Sequence, residues 1–222
     1  MTRVLVVDDQ VLIRVGLAAL LRAAPGMEVV GEAAGGAEAV ALAAAERPDI
    51  VLMDIRMPGM DGITATGRIL AEATEPAPRI IILTTFDLDE YVYAALRAGA
   101  AGFLLKDTPP ERLLAAVETV AAGDMLFAPS VVCRLIEAYA HRAADKVAPP
   151  PGLDPLTTRE LDVLRLVGQG LSNPEIAGRL VVSVATVKTH LNRTMAKLNL
   201  SSRAQAVVLA YESGLVVPGG AG

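Results

Sequence analysis

Ile50-Val51-Leu52-Met53-Asp54-Ile55-Arg56-Met57-Pro58-Gly59-Met60-Asp61-Gly62 carries the pattern that decides the fold. A short apolar run ends in a carboxylate, and a Pro-Gly turn intervenes before the next helical period. Working outward, four similar runs occur at Val4–Val7, Met27–Gly31, Ile80–Thr84 and Gly102–Leu105. Helical periods separate them, as in Leu113, Leu114, Val117, Val120 and Ala121. Near-continuous apolar strands suit a sheet covered on both faces, and strands alternating with helices make that sheet parallel. The first half of the chain therefore predicts an α/β domain.

In an open parallel sheet, ligands bind beyond the carboxyl ends of the strands, where the strand order reverses. Strand one ends in Asp8-Asp9, strand three in Asp54, strand four in Thr84-Thr85 and strand five in Lys106. Each has an ordinary explanation alone: Asp9 as a helix cap, Asp54 as a loop acid, Thr84 as a strand residue, Lys106 as a solvated charge. Their coincidence at one end of one sheet outweighs those explanations. Three carboxylates at close range repel and invite a cation. An all-oxygen set without His or Cys favours magnesium. A lysine opposite the acids supplies a point charge for a phosphoryl group, and a threonine hydroxyl supplies a hydrogen bond. A carboxylate can attack phosphorus and form an acyl phosphate.

The rest of the composition narrows the class. The 222 residues suggest one large domain or two small ones. Mean hydropathy is +0.46, but the cause is 38 alanines rather than a membrane span. The N-terminal apolar stretch is cut by Asp8 and Asp9, unlike a signal sequence. The single cysteine, Cys133, excludes an internal disulfide, and two histidines, His141 and His190, exclude a His-rich zinc site. A reduced, soluble, cytoplasmic protein is expected. The net charge of −5 hides an asymmetry: residues 1–124 hold 10 Lys/Arg against 18 Asp/Glu, residues 125–222 hold 10 against 7. No acid lies between Glu175 and Glu212, a window containing Arg179, Lys188, Arg193, Lys197 and Arg203. A locally basic half can touch nucleic acid, although a solvated helix face can look the same.

Ala148-Pro149-Pro150-Pro151-Gly152 cannot be helix interior and reads as a linker, preceded by a possible helix over Pro129–Arg142. Cys133 in that helix reads as a buried structural thiol. Four short helices with explicit starts follow. Thr157-x-x-Glu160 and Ser172-x-x-Glu175 are capping boxes, Ser183 caps a third helix, and Ser202-x-x-Gln205 opens a fourth. Gly170 and Gly214 stand where the first and last should stop. On the third, Val187, Leu191, Met195 and Leu198 form one stripe. Ala185, Thr189, Asn192, Arg193 and Ala196 fall opposite, with Lys188 on the flank. Such a helix can enter a major groove: cations neutralise phosphates, Asn pairs with adenine edges, and small residues allow close approach.

These residues carry two resemblances. Val6-Val7-Asp8-Asp9, Leu52 to Gly62, Ile82-Leu83-Thr84 and Gly102-Phe103-Leu104-Leu105-Lys106 resemble the signature of two-component receiver domains. The resemblance implies a flavodoxin-like (βα)5 fold with Asp54 as phosphoacceptor. It also implies magnesium on Asp9, Asp54 and the Arg56 backbone carbonyl, with Asp8 holding it through water. Lys106 and Thr84 would contact the phosphoryl group. Phe103 would be the switch aromatic, without the hydroxyl a tyrosine brings. Leu156-Thr157-x-Arg159-Glu160, Gly170-Leu171-Ser172-Asn173-x-Glu175-Ile176-Ala177, Ser183-x-x-Thr186-Val187-Lys188-Thr189-His190, Lys197-Leu198 and Arg203-x-Gln205-Ala206-Val207 resemble the four-helix, LuxR-type helix-turn-helix domain. Together they are the layout of NarL/FixJ response regulators. That layout implies a receiver at 1–124, a linker at 125–152, a DNA-binding domain at 153–217 and a tail at 218–222.

The resemblance further implies double-stranded promoter DNA as a partner, contacted around Lys188, Thr189 and Asn192. Arg193, Thr186 and His190 are added to this set, His190 as a helix-boundary or phosphate-side residue. Dimerisation is implied through the fourth helix, with Val207, Val208 and Tyr211. Pro174 departs from the family's common Lys or Arg, removing one donor and one phosphate contact. The implied function is transcription regulation without enzymatic activity. A sensor histidine kinase would phosphorylate Asp54, and phosphorylation would favour a homodimer on DNA. Two other classes compete. Aspartate-nucleophile phosphatases share the Asp, Lys, Thr and magnesium inventory, but they carry Asp-x-Asp at the nucleophile where this chain has Arg56. A receiver working by protein contact alone would not need the full pocket.

Overall fold

The computed structural model describes residues 1–74, 76–84, 89–123 and 152–216. The expected helix over 129–142, Cys133, Thr85 and the triple proline lie outside the described residues. The chain divides into two units, Met1–Leu126 and Phe127–Gly222.

In the first unit the strands are β1 (Thr2–Val7), β2 (Met27–Ala33), β3 (Ile50–Asp54), β4 (Arg79–Thr84) and β5 (Gly102–Leu105). The helices are α1 (Val11–Ala23), α2 (Gly36–Glu46), α3 (Gly62–Glu72), α4 (Asp89–Ala98) and α5 (Pro110–Ala121). All strand pairs are parallel, in the order β2-β1-β3-β4-β5. The expected α/β architecture is therefore present, and the order reverses between β1 and β3.

Alternation along each strand explains the apolar runs. Leu5, Val7, Val51, Met53, Ile80 and Ile82 enter one core with Ala39 and Ala43 of α2, Ala65 and Ile69 of α3, and Ala95 of α4. Their neighbours Val4, Val6, Ile50, Leu52, Ile81 and Leu83 enter the other with Leu21 of α1 and Leu113, Val117 and Val120 of α5. Both faces of β1, β3 and β4 are thus buried, so their polar residues fall at the strand ends, whereas β2 and β5 at the sheet edges are only partly buried and β2 carries Glu28 and Glu32.

The second unit contains α6 (Thr158–Gly168), α7 (Asn173–Leu180), α8 (Val184–Lys197) and α9 (Arg203–Glu212). Their starts follow the sequence signals. Thr157 and Glu160 form a reciprocal capping box. The Glu175 carboxylate accepts from the Ser172 backbone N–H at 2.7 Å. Ser183 accepts from the Thr186 N–H at 3.1 Å. At α9, Ser202 accepts from the Gln205 N–H, but the Gln205 side chain reaches back to the Ser201 N–H, one residue earlier than a standard box. Pro174 sits in the first turn of α7, where its missing N–H costs no helical bond. Gly170, with φ +83°, follows α6 in the left-handed conformation that ends helices.

Candidate phosphoacceptor pocket and DNA-reading helix

The sheet places Asp8 at the end of β1, Asp9 just beyond it and Asp54 at the end of β3. One carboxylate oxygen from each lies within 4.8 Å of the others. Lys106 follows β5 and spans the group: its Nζ is 2.7 Å from Asp8 Oδ2 and 3.1 Å from Asp54 Oδ2. Its backbone N–H donates to the Thr84 carbonyl at 2.7 Å, so β4 and β5 stay in register up to the pocket. Thr84 is buried there. Phe103 is half-buried and packs on the core shared by α2, α3 and α4.

Burial pushes the Asp54 carboxyl above its ordinary range, with the Lys106 hydrogen bond and charge opposing and Asp8 and Asp9 adding repulsion. Asp9 does not cap α1. The cap position is Gln10, which makes no side-chain cap bond, and its N–H donates to Asp8 Oδ1 at 2.9 Å. Among the described residues, the buried Asp9 Oδ1 instead has no hydrogen-bond partner. A buried orphan oxygen beside two further carboxylates fits a hard divalent cation such as magnesium.

The loop after β3 is built to hold Asp54 still. Asp61 caps α3 by accepting from the Thr64 N–H at 2.7 Å, and the Gly62 N–H donates to the Ile55 carbonyl at 2.9 Å. A Cβ at Gly62 would lie 1.9 Å from the Asp54 carbonyl oxygen, so only glycine fits. Arg56 is exposed; its guanidinium lies 5.3 Å from the Tyr91 ring centroid and donates to the Tyr91 hydroxyl at 3.3 Å. Arg14 steadies the other side, donating to the Asp8 carbonyl at 2.7 Å. Neither contact has a local sequence signature.

In the second unit, Val187 and Leu191 are buried while Ala185, Thr189, Asn192, Arg193 and Ala196 are exposed, as the stripe predicts. Lys188, Thr186 and His190 are half-buried. The Thr186 hydroxyl lies 2.8 Å from that of Ser183, and the Thr189 hydroxyl donates to the Ala185 carbonyl at 3.0 Å. Val207 and Val208 are buried and Tyr211 is half-buried, so only part of the expected dimer face is open to solvent in one chain.

The helices of the second unit are joined by contacts between residues far apart in sequence. Lys197, at the end of α8, donates to Glu160 Oε2 at 2.7 Å and to the Pro155 carbonyl at 3.1 Å. Arg203 bonds Asn173 and the Leu171 carbonyl, tying α9 to the start of α7. The Lys197 hydrogen bond, with help from Thr157, lowers the Glu160 carboxyl from 4.5 to about 2. A lowered folded-state value stabilises the fold above the unfolded value, and that stabilisation is lost as pH falls through the folded value. The second unit should therefore lose stability between about pH 4.5 and 2. Lys197→Met should cost about 2 kcal/mol at neutral pH, discounted because the lysine side chain is about a third exposed, and should flatten that acid limb. Thermal unfolding of both forms across pH 2–7 checks this; parallel acid limbs would remove the pair from the account.

Residues 4–118 match the response regulator receiver domain family, and residues 154–210 match the luxR family of bacterial regulatory proteins. The chain is 42% identical over 214 residues to the uncharacterized transcriptional regulatory protein YxjL of Bacillus subtilis strain 168, covering 96% of this chain and 97% of that one. It is 40% identical to the transcriptional regulatory protein LiaR of the same organism, covering 97% and 100%. The solved structure of the response regulator ChrA, from a heme-sensing two-component system, is 36% identical, covers 96% and 98%, and superposes with a TM-score of 0.51. The two-component response regulator RcsB in complex with DNA is 26% identical, covers 95% and 98%, and gives 0.55. These relatives are regulators, which removes the aspartate-nucleophile phosphatase. The chain belongs to the response regulators that join a receiver domain to a LuxR-type DNA-binding domain, and it serves transcription regulation rather than catalysis.

Proposed function

We propose that Asp54 accepts a phosphoryl group from a sensor histidine kinase in the cytoplasm, and that this favours a homodimer bound to double-stranded promoter DNA. In this reading residues 1–124 are the receiver, 125–152 the linker, 153–217 the DNA-binding domain and 218–222 a tail. The carrying observation is the convergence of Asp8, Asp9 and Asp54 within 4.8 Å, bridged by Lys106. Asp54 is the acid that attacks phosphorus. It sits at the end of the central strand β3, and its carboxylate touches the lysine that would receive the phosphoryl charge. Lys106 then exchanges a carboxylate partner for a phosphoryl oxygen, and Thr84 supplies a hydroxyl at the end of the neighbouring strand. Asp8, Asp9, Asp54 and the Arg56 carbonyl would hold magnesium, which when bound offsets the charge of the acids and the incoming phosphoryl group. Phe103 would respond by ring burial, having no hydroxyl.

The test is incubation of the full chain with a small-molecule phosphodonor, followed by intact mass. A single phosphoryl adduct is expected with magnesium and almost none in excess chelator. Full phosphorylation under chelation would contradict the role given to the acids. An unmodified chain under both conditions would favour a receiver that works by protein contact alone.

Lys188, Thr189, Asn192 and Arg193 would face DNA, with Thr186 and His190 at the margin, and Val207, Val208 and Tyr211 would meet a second copy. Lys188→Ala should weaken DNA binding by about 1–3 kcal/mol at one base position if it reads a base, or by a similar amount on every duplex if it holds a phosphate. Titration at fixed salt separates the two, and unchanged affinity on all duplexes would take α8 out of the groove.

A further inference from the structure

The turn leading into α8 is apolar and exposed in a way the fold of the second unit does not require. Val181 is 89% exposed and Val184 39%. They are the exposed large hydrophobic residues among the described residues of this unit, and Ala185 beside them is exposed too. Val181 also has φ +54° and ψ +51°. It occupies the left-handed position after α7, with the Val182 N–H returning to the Ala177 carbonyl. Glycine or asparagine ordinarily stands there, because a β-branched side chain is strained in that conformation. Among the described residues Val181 thus gains neither packing nor backbone ease. Strain that folding does not explain points to a use outside the fold.

The location says what that use is. In a helix-turn-helix, the N-terminal residues of the second helix approach the base edges. Val184 and Ala185 are the first two residues of α8, and Val181 lies two residues before its Ser183 cap. Ala185 stands one turn before Thr189 on the exposed face, Val184 stands one turn before Lys188 on its flank, and Val181 precedes both in the turn, inside the window from Glu175 to Glu212 that holds no other acid. The apolar feature of a major groove is the C5 methyl group of thymine. We propose that Val181, Val184 and Ala185 form an apolar reading edge for thymine methyl groups, so that this chain selects thymine next to the bases reached by α8. The inference rests on the DNA-binding reading above and adds a base preference to it.

The experiment uses the full chain with phosphodonor and magnesium. A random-sequence duplex pool is enriched for binding, and the enriched duplex is remade with deoxyuridine replacing each thymidine in turn. That exchange deletes one methyl and leaves every hydrogen-bonding group in place. At one or more positions the parent should lose about fourfold in affinity, the value of one buried methyl. Val181→Gly and Val184→Ser should lose that discrimination, so that thymidine and deoxyuridine duplexes bind them alike. Val181→Gly suits the left-handed backbone, which keeps it folded as a second variant. Indifference of the parent to every exchange would overturn the proposal and hand the patch to a protein partner. So would a fourfold loss that persists in both variants. Failure to enrich any sequence would overturn the DNA-binding reading itself, a distinguishable outcome.

Discussion

Asp54→Asn is expected to take up no phosphoryl group from a phosphodonor while the receiver stays folded. The loss of adduct should be complete, because Asp8 and Asp9 stand to one side of the position at the end of β3 that Asp54 holds. Stability should not fall. Burial raises the Asp54 carboxyl above its ordinary range, so the ionised form is less favourable in the fold than in the unfolded chain. A neutral isostere removes that cost, and Lys106 keeps Asp8 as a partner at 2.7 Å. Intact mass and thermal unfolding at pH 7 check both halves. An adduct on the variant would move the phosphoacceptor elsewhere, and a large loss of stability would make Asp54 a structural acid.

The second large effect is at Gly62. Gly62→Ala should destabilise the first unit by about 4 kcal/mol, in the range reserved for steric or buried-polar disruption. The added Cβ would meet the Asp54 carbonyl oxygen at 1.9 Å and Met53 Cγ at 3.0 Å. Relief by opening the loop would sacrifice the Gly62-to-Ile55 hydrogen bond and displace Asp54, so phosphorylation should fall as well. Gly67→Ala is the control: it lies in the same helix with nothing among the described residues within 4 Å of an added Cβ, and should gain roughly 0.5–1 kcal/mol. Denaturant unfolding of the two variants should therefore shift in opposite directions. Equal midpoints would mean the loop after β3 is looser than its geometry.

The contrast between these glycines shows what the sequence alone can convey. Strands with both faces buried are apolar through their length, so Val4–Val7, Ile50–Met53 and Ile80–Leu83 stand out, and their polar residues are confined to the ends. Asp8, Asp9, Asp54, Thr84 and Lys106 were legible for that reason. The helix starts at Thr157, Ser172 and Ser183 were legible because a cap and its partner lie within one turn. What was hidden depends on partners brought together by folding. Lys197 and Glu160 are 37 residues apart, and Arg203 and Asn173 are 30 apart, so no local spacing announces either contact. Thr194 has the spacing of the apolar stripe, seven residues after Val187, but a polar side chain; it is buried, its hydroxyl satisfied by the His190 carbonyl at 2.9 Å. Val181 was invisible in the same way: its residue type argues for a buried or extended position, and the strained, exposed one follows only from how α7 ends.

In the proposed switch, phosphorylation at Asp54 changes assembly and thereby DNA affinity. One helix-turn-helix unit reads few base pairs, whereas two held together gain from effective concentration on half-sites about one helical turn apart. The direct test is sedimentation of the parent and Asp54→Asn, with and without phosphodonor, paired with titration on duplexes carrying one or two copies of an enriched half-site. The parent should shift towards a dimer and gain affinity only on the paired site, and Asp54→Asn should do neither while keeping weak binding to a single site. A parent that carries the phosphoryl adduct by intact mass, yet changes in neither sedimentation nor affinity, would contradict the account.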